Sequence, residues 1–514
     1  MKTAAEPTEE MSVASQHTRT HGDEAAYGVR PPHAVLIYLA APAFLFLLFF
    51  AQRVIGLGIA TLLAVAMVLI WRRSTSAPTQ QPLVAPAAIA LLVAFVAGFP
   101  NGPFCWDWVK HWALINELAD HRWPFSTELQ GEARYLRFYL AAYLVPAGLH
   151  QVLPTIPTWA ATAAWFTLGF VLVFQMVASV GRTAVAGWIA LLLFLTLGGA
   201  DAFAEHWYRS AAGLPSAPWL GIHFEGWAYN ATRAPLEYSS MLTALCWVPH
   251  QSIAAFLVAG LLVLYRGPEA LRISLLGYGL LALWSPYAMI GLAPVVMVRA
   301  AQGGDLLITP RSLLEIAVGS SFAVLVAWYL STDLPGAGAC FVCLVSRLTR
   351  LSDFFVFWAV ELSVFVLILR RRIATDPVCL VSFITLLVIP LLYGNTGDFV
   401  MRGSMGPLFI LAIRSTQEIV AFRASAWRRA AQVTAICLCA PAAASEMAYQ
   451  VTVGQAHRQF PESDPLGARW VKTFATRTTY DARQFFDLCG WRYLDQYFSK
   501  QYPRGIRLGS ERQD

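Results

Sequence analysis

Charge is what this chain has least of. Of its 514 residues only 13% are Asp, Glu, Lys or Arg, against about 25% in a typical soluble domain. So few charges cannot furnish a wetted surface for a chain of this length. Cysteine is sparse as well, eight residues in all, which excludes a disulfide scaffold. There is no P-loop of the GxxxxGK[ST] kind and no strand–GxGxxG–helix unit, so nucleotide-driven chemistry in the cytoplasm is not expected. No lipidation motif stands at either end. Residues 1–33 are too long and too acidic for the basic start of a cleaved signal peptide. What is abundant is apolar: 57% hydrophobic residues, with 18 Trp, 18 Tyr and 31 Phe, and a mean hydropathy of +0.53. That excludes disorder, which needs low hydrophobicity and high charge. The composition is that of a polytopic membrane protein, whose many crossings of the membrane surface favour aromatic residues.

The net charge of +6 (37 Lys and Arg against 31 Asp and Glu) is too small and scattered for a nucleic-acid reader. Residues 1–33 read as a disordered cytoplasmic tail. Windows of the length a spanning helix needs, about 20 mostly apolar residues, fall near 34–51, 54–71, 83–99, 157–180, 184–199, 241–265, 312–331, 353–370, 378–394, 404–422 and 429–448. The stretch 273–299 is broken by Ser285-Pro286 and is expected to form two short helices.

The stretch 136–153 is apolar enough to span, and the positive-inside rule decides its place. If it does not span, Arg72, Arg73, Arg182, Arg266, Arg272, Arg299, Arg311, Arg370, Arg371, Arg372, Arg423, Arg428 and Arg429 all fall on the cytoplasmic side. The expected fold is therefore all-α: a polytopic membrane helix bundle of about 13 transmembrane helices. Its N-terminus is inside and its C-terminus outside, with amphipathic helices in the first outer loop. The expected organisation is a tail at 1–33, an N-terminal transmembrane hairpin at 34–82, a transmembrane core at 83–448 with outer loops 100–156 and 200–240, and a periplasmic tail at 449–514.

Ionisable residues near membrane depth carry the functional signal. In Trp106-Asp107-Trp108-Val109-Lys110-His111 the pattern is helical, with Trp108, Trp112, Ile115 and Ala119 on one face and Asp107, Lys110 and His111 on another. Asp107 beside two cations would stay ionised and oriented, as a general base needs. The ordinary reading is a solvated interfacial helix. Asp201 follows Gly198-Gly199-Ala200 at the outer end of a span, with Glu205 and His206 close behind; it is either a site acid or a helix-end acid. The loop 200–240 also holds Trp207, Trp219, Trp227, His223 and Glu225, an aromatic and acidic mix suited to sugars or simply to an interfacial belt. Pro249 frees carbonyls that His250 and Gln251 can satisfy, unless those two face a cavity. Asp398 and Arg402 lie four residues apart in a Gly-rich turn, where Arg402 can fork onto a phosphate or pair with Asp398. Cys340-Phe-Val-Cys343, without metal partners, reads as two thiols. No ligand set with diagnostic metal spacing is visible.

This layout resembles the GT-C superfamily of integral membrane glycosyltransferases. The resemblance rests on Asp107 in a first large outer loop, Asp201 two spans later, the Gly181-Arg182 turn between those spans, the non-spanning 136–153 segment and Arg402 in a later loop. It departs from the family in the extra hairpin 34–71 and in the Trp beside Asp107. The resemblance implies a polyprenyl-phosphate-linked sugar donor, a glycan or lipid acceptor, contact with membrane lipid, inverting transfer, no nucleic acid, and a place in the bacterial inner membrane with the active site facing the periplasm. Asp107 and Asp201 become the catalytic candidates. Lys110, His111, Glu205, His206, Glu225, His250, Asp398 and Arg402 become the substrate-binding ones. No metal ligand is assigned, although a divalent cation (Mg or Mn) at Asp201 stays open. The alternatives are a transporter or flippase of lipid-linked saccharides, and a non-catalytic partner in envelope polysaccharide assembly.

Overall fold

The computed structural model describes residues 31–72, 83–98, 108–129, 132–181, 183–232, 236–265, 267–332, 351–392, 398–421, 425–456 and 498–499. The chain opens with α1 (Pro31–Leu45), which runs on through a single π-helical turn, and α2 (Arg53–Trp71) returns beside it. Next come α3 (Val84–Val96), α4 (Trp108–Asp120), strands β1 (Ser126–Leu129) and β2 (Glu132–Leu136), α5 (Ala141–Val152), α6 (Thr158–Ala178) and α7 (Ala184–Thr196). Short helices α8 (Asp201–Ala211), α9 (Trp227–Thr232) and α10 (Met241–Trp247) lead to α11 (Pro249–Leu264), α12 (Pro268–Trp284), α13 (Pro286–Gly303) and α14 (Pro310–Leu330). The chain continues as α15 (Leu351–Thr375), α16 (Pro377–Val388), α17 (Asp398–Val420) and α18 (Ala426–Ala456), and β3 (Phe498–Ser499) is the last element.

Many of these starts are written in dipeptides. Ser285-Pro286, Thr309-Pro310 and Asp376-Pro377 each place a capping oxygen on the first free amides and proline at the first helical position. Thr183 and Ser240 cap α7 and α10 in the same way. The two short helices expected around Ser285-Pro286 are α12 and α13. The window 241–265 divides at Val248 into α10 and α11.

Among the described residues, seven helices have the length and hydropathy to cross a membrane: Pro32–Phe50, Arg53–Trp71, Thr158–Ala178, Ala184–Ala211, Pro310–Leu330, Ser352–Thr375 and Ala426–Thr452. The expectation of about 13 is corrected to that number. Apolar windows of spanning length exist elsewhere, but backbone breaks cut them short. Val84–Val96, Pro249–Leu264 and Pro377–Leu391 are apolar helices below spanning length. The protein is an all-α, multi-helix membrane protein. The segment 136–153 holds the last residue of β2, Leu136, and the 12-residue α5, too short for the roughly 20 residues of a crossing. Of the two readings of α4, the solvated one does not describe His111 and Trp112, which are both buried where α5 packs against the helix. Strands β1, β2 and β3 form a small antiparallel sheet that the all-α expectation did not include, with Tyr135 opposite Ser499 and Leu136 opposite Phe498.

Side-chain bonds define two ends of the bundle. At one end Arg272 and Arg311 both reach the buried Glu315, and Arg311 also donates to the Leu69 carbonyl at the end of α2. Arg372 pairs with Glu418, and Arg414 pairs with the α16 cap Asp376 at 3.1 Å. At the other end Ser285 bonds Gln251 and Arg402 bonds Tyr139. Arg402 and Glu418 lie on one helix, about 24 Å apart along its axis at 1.5 Å per residue. Helices pack closely between these ends through glycines. A Cβ on Gly291 would overlap the Gly403 carbonyl oxygen, so α13 and α17 meet backbone to backbone. Apolar side chains left on the outside, such as Val54, Phe95 and Val185, suit a lipid-facing perimeter.

Candidate functional site

Two polar clusters lie toward the end away from the Glu315 and Glu418 ion pairs, joined by α10. The first is a relay of side chains from four helices, the cap of α13 and the segment before α5. His111 of α4 and His250 of α11 lie with ring centroids 4.1 Å apart and planes tilted by 46°. The Tyr143 hydroxyl lies 2.7 Å from His111 Nδ1. Gln251 Nε2 is 3.0 Å from His250 Nε2 and also donates to the Tyr139 hydroxyl, while Ser285 Oγ donates to Gln251 Oε1. Arg402 Nη1 donates to that same Tyr139 hydroxyl at 2.8 Å. His250, Gln251 and Ser285 are fully buried and Arg402 is 5% exposed. A guanidinium so far from water needs partners, and Tyr139 is one of them.

The second cluster is an acidic layer with one imidazole. Asp201 opens α8 and is fully buried. Trp227 Nε1 is shared between Asp201 Oδ1 and Glu361 Oε1 of α15, 3.1 Å from each. The two carboxyl groups therefore meet across one indole. Gly199 makes room for the pair: a Cβ there would clash with Glu361 Oε2 and lie 2.9 Å from Asp201 Oδ1. Glu225 accepts from the Ser240 amide at 2.9 Å, and its Oε2 makes no hydrogen bond among the described residues. His223 Nδ1 meets Glu446 Oε2 of α18 at 2.8 Å, and Glu446 Oε1 accepts from Trp247 and Gln450. Ser445 fastens this loop to α18 by accepting from the Ile222 amide and donating to its carbonyl.

His223, Glu225 and Glu237 each bring one ligand atom to within 4.8 Å of the others, so together they can hold a metal ion. Glu446 occupies Nδ1 of His223, which leaves Nε2 as the nitrogen for a ligand. A carboxylate behind a ligating imidazole orients the ring and raises its basicity. One nitrogen and two carboxylates suit Mn²⁺ or Zn²⁺ better than the all-oxygen preference of Mg²⁺. Electrostatics agrees with a cation here. Burial alone would pull His223 down, but the Glu446 hydrogen bond and the charges of Glu446, Glu225 and Glu237 carry it to about 9. Burial pushes the Glu225 carboxyl up to about 8, opposed by His223 and aided by Asp201 and Glu446. A group of acids that retains protons this firmly is short of positive charge.

Of the residues expected to form a site, His111, His250 and Arg402 converge in the relay. Asp201 and Glu225 share the acidic layer. Glu205 is drawn into an ion pair with Arg209 at 2.7 Å on its own helix. His206 lies between the Ala202 and Ala217 carbonyls and stacks on Trp219, which braces the loop after α8. Asp107 lies outside the described residues, as do Cys340 and Cys343. Lys110 lies in the first turn of α4, and Asp398 is the first residue of α17. The sequence reading missed Glu361, Glu446 and Glu237 and assigned no role to His223. Glu361 and Glu446 had a usable signal, as isolated acids inside otherwise apolar helices. Glu237, in a loop, had none.

Comparison with family models, with curated proteins and with solved structures gives no match. The class to which the chain belongs is defined by its own fold and site: a multi-span helical membrane protein with a partly buried His/Glu/Glu cluster able to hold a metal ion.

Proposed function

We propose that the protein is a membrane-embedded glycosyltransferase that moves a sugar from a polyprenyl-phosphate donor to a lipid or polysaccharide acceptor, at the face away from the Glu315 and Glu418 ion pairs. The observation that carries the proposal is the meeting of buried Arg402, His111 and His250 beside the acidic layer, with only α10 between the two clusters. A lipid-linked phosphate donor needs a cation fixed at membrane depth, and its acceptor needs carboxylates nearby. Both are supplied by residues far apart in sequence.

In this reading the acceptor oxygen attacks the anomeric carbon as the bond from that carbon to the phosphate oxygen breaks, and the configuration inverts. The acceptor proton passes to the Asp107 carboxylate. Arg402 holds the departing phosphate through fixed charge, needing little reorganisation as the bond breaks. Asp201, held by Trp227, orients the acceptor. A divalent cation held by His223, Glu225 and Glu237 would supply further charge neutralisation for phosphate oxygens.

The test compares lipid-linked sugars and surface glycans in cells carrying the wild-type chain, Asp107→Asn, Asp201→Asn or Arg402→Ala at matched membrane levels. The expected result is accumulated donor and loss of one glycan, with Arg402→Ala lowering transfer by about 10²-fold. Unchanged glycans and donor pools in all three variants would end this reading.

A further inference from the structure

The arginine end of the bundle holds a cavity that the proposed transfer reaction does not use. It lies between the end of α15, the end of α17 and the start of α18, and has a volume of about 250 Å³. Arg370, Arg371, Arg372 and Arg428 line it together with Glu418. Among the described residues, Arg372 is the one of these four with a carboxylate partner, Glu418. Four guanidiniums against one carboxylate leave a surplus of three positive charges around one small space (4 − 1 = 3). Leu367 and Ile368, one turn before the arginines on α15, give the cavity an apolar wall. Leu367 and the neighbouring Trp427 are turned outward, 39% and 72% exposed, on a perimeter that suits lipid.

A run of arginines at a helix end is accounted for by topology alone, because basic residues hold loops on one side of a membrane. That role requires no cavity and no convergence. Here arginines from α15 and from α18, more than fifty residues apart in sequence, face the same space. Like charges gathered in a recess repel unless an anion enters. The recess opens beside apolar side chains at the membrane surface, where basic pockets between helices take lipid head groups.

We infer that this cavity binds the phosphate head group of an anionic phospholipid, with an acyl chain along Leu367 and Ile368. The guanidiniums fork onto phosphate oxygens. The apolar wall separates a lipid from free phosphate, which has the same charge chemistry but no chain to bury.

The test uses the full chain, purified in detergent and offered phosphatidylglycerol, phosphatidylcholine or inorganic phosphate, with retained lipid counted by native mass spectrometry. The expected result is retention of phosphatidylglycerol over phosphatidylcholine, no displacement by millimolar inorganic phosphate, and a loss of roughly tenfold or more in Arg371→Gln/Arg428→Gln. Arg428→Gln alone, at the rim, serves if the double variant does not fold, and the wild-type arms need no variant. Equal retention of the two lipids, or unchanged retention in the variants, would overturn the inference. Displacement by inorganic phosphate would overturn it too, by giving the cavity to a free anion.

Discussion

His223 and Glu225 set the pH behaviour of the acidic layer. Both groups hold protons more tightly in the fold than in the unfolded chain, at about 9 for His223 and about 8 for Glu225. The sign is the same for both. Their stabilisation is complete below the unfolded values, about 6.5 for His and 4.3 for Glu. It is lost as pH rises through the folded ones. The chelated protein is therefore expected to melt at progressively lower temperature between pH 6.5 and pH 9, measured in detergent by intrinsic fluorescence. Glu446→Gln removes the hydrogen bond that holds the imidazolium and is expected to flatten the upper part of that profile. A metal must displace these same protons. Stabilisation by Mn²⁺ is therefore expected to grow over the same range and to vanish in Glu225→Gln. If Mn²⁺ raises the melting temperature equally at pH 6.5 and pH 8.5, the cluster is not where it binds.

Among the elements, α10 and the glycine crossings carry the architecture. The seven residues of α10 separate the acidic layer from the relay: Ser240 at its cap serves Glu225, Trp247 at its end serves Glu446, and His250 follows at once. The break at Val248-Pro249 makes this possible, because a continuous helix through 241–265 would carry the relay residues along another direction. The crossing of α13 and α17 depends on Gly291, where a Cβ would overlap the Gly403 carbonyl oxygen. Gly291→Ala is expected to destabilise the protein by about 1–3 kcal/mol through forced separation of the helices. Since α17 also carries Arg402, the variant is expected to lower transfer as well as melting temperature. A variant that melts like the wild type would show that the two helices do not meet in this way.

The whole molecule is polarised along its helices. The guanidiniums of Arg272, Arg311, Arg370, Arg371, Arg372 and Arg414 gather at one end, and the acidic layer and relay lie toward the other. In a membrane this separation predicts two faces. A single cysteine introduced at Gly213, in the exposed turn after α8, and another at Gly304, after α13, are expected to label from opposite sides with an impermeant maleimide. Labelling of both from one side would break the correspondence between the bundle's ends and the membrane's faces. The small β-sheet is also a whole-molecule feature, since it pairs Phe498–Ser499 with a strand more than three hundred and fifty residues earlier.

The sequence by itself determined the solvent of this protein and the punctuation of its helices. A chain with 13% charged residues has to bury its surface in lipid. Ser285-Pro286, Thr309-Pro310 and Asp376-Pro377 set helix starts through local capping, which needs no knowledge of distant neighbours. The convergence of His250, His111 and Arg402 was legible only as separate polar residues beside apolar runs. Only the tertiary structure decided which of them meet, which helices keep spanning length, and that His223, Glu225 and Glu237 form a cluster fit for a cation. The physical reason is that capping and hydropathy act within a few residues. A shared indole between Asp201 and Glu361, or a carboxylate on α18 behind a loop histidine, is fixed by how helices pack against one another.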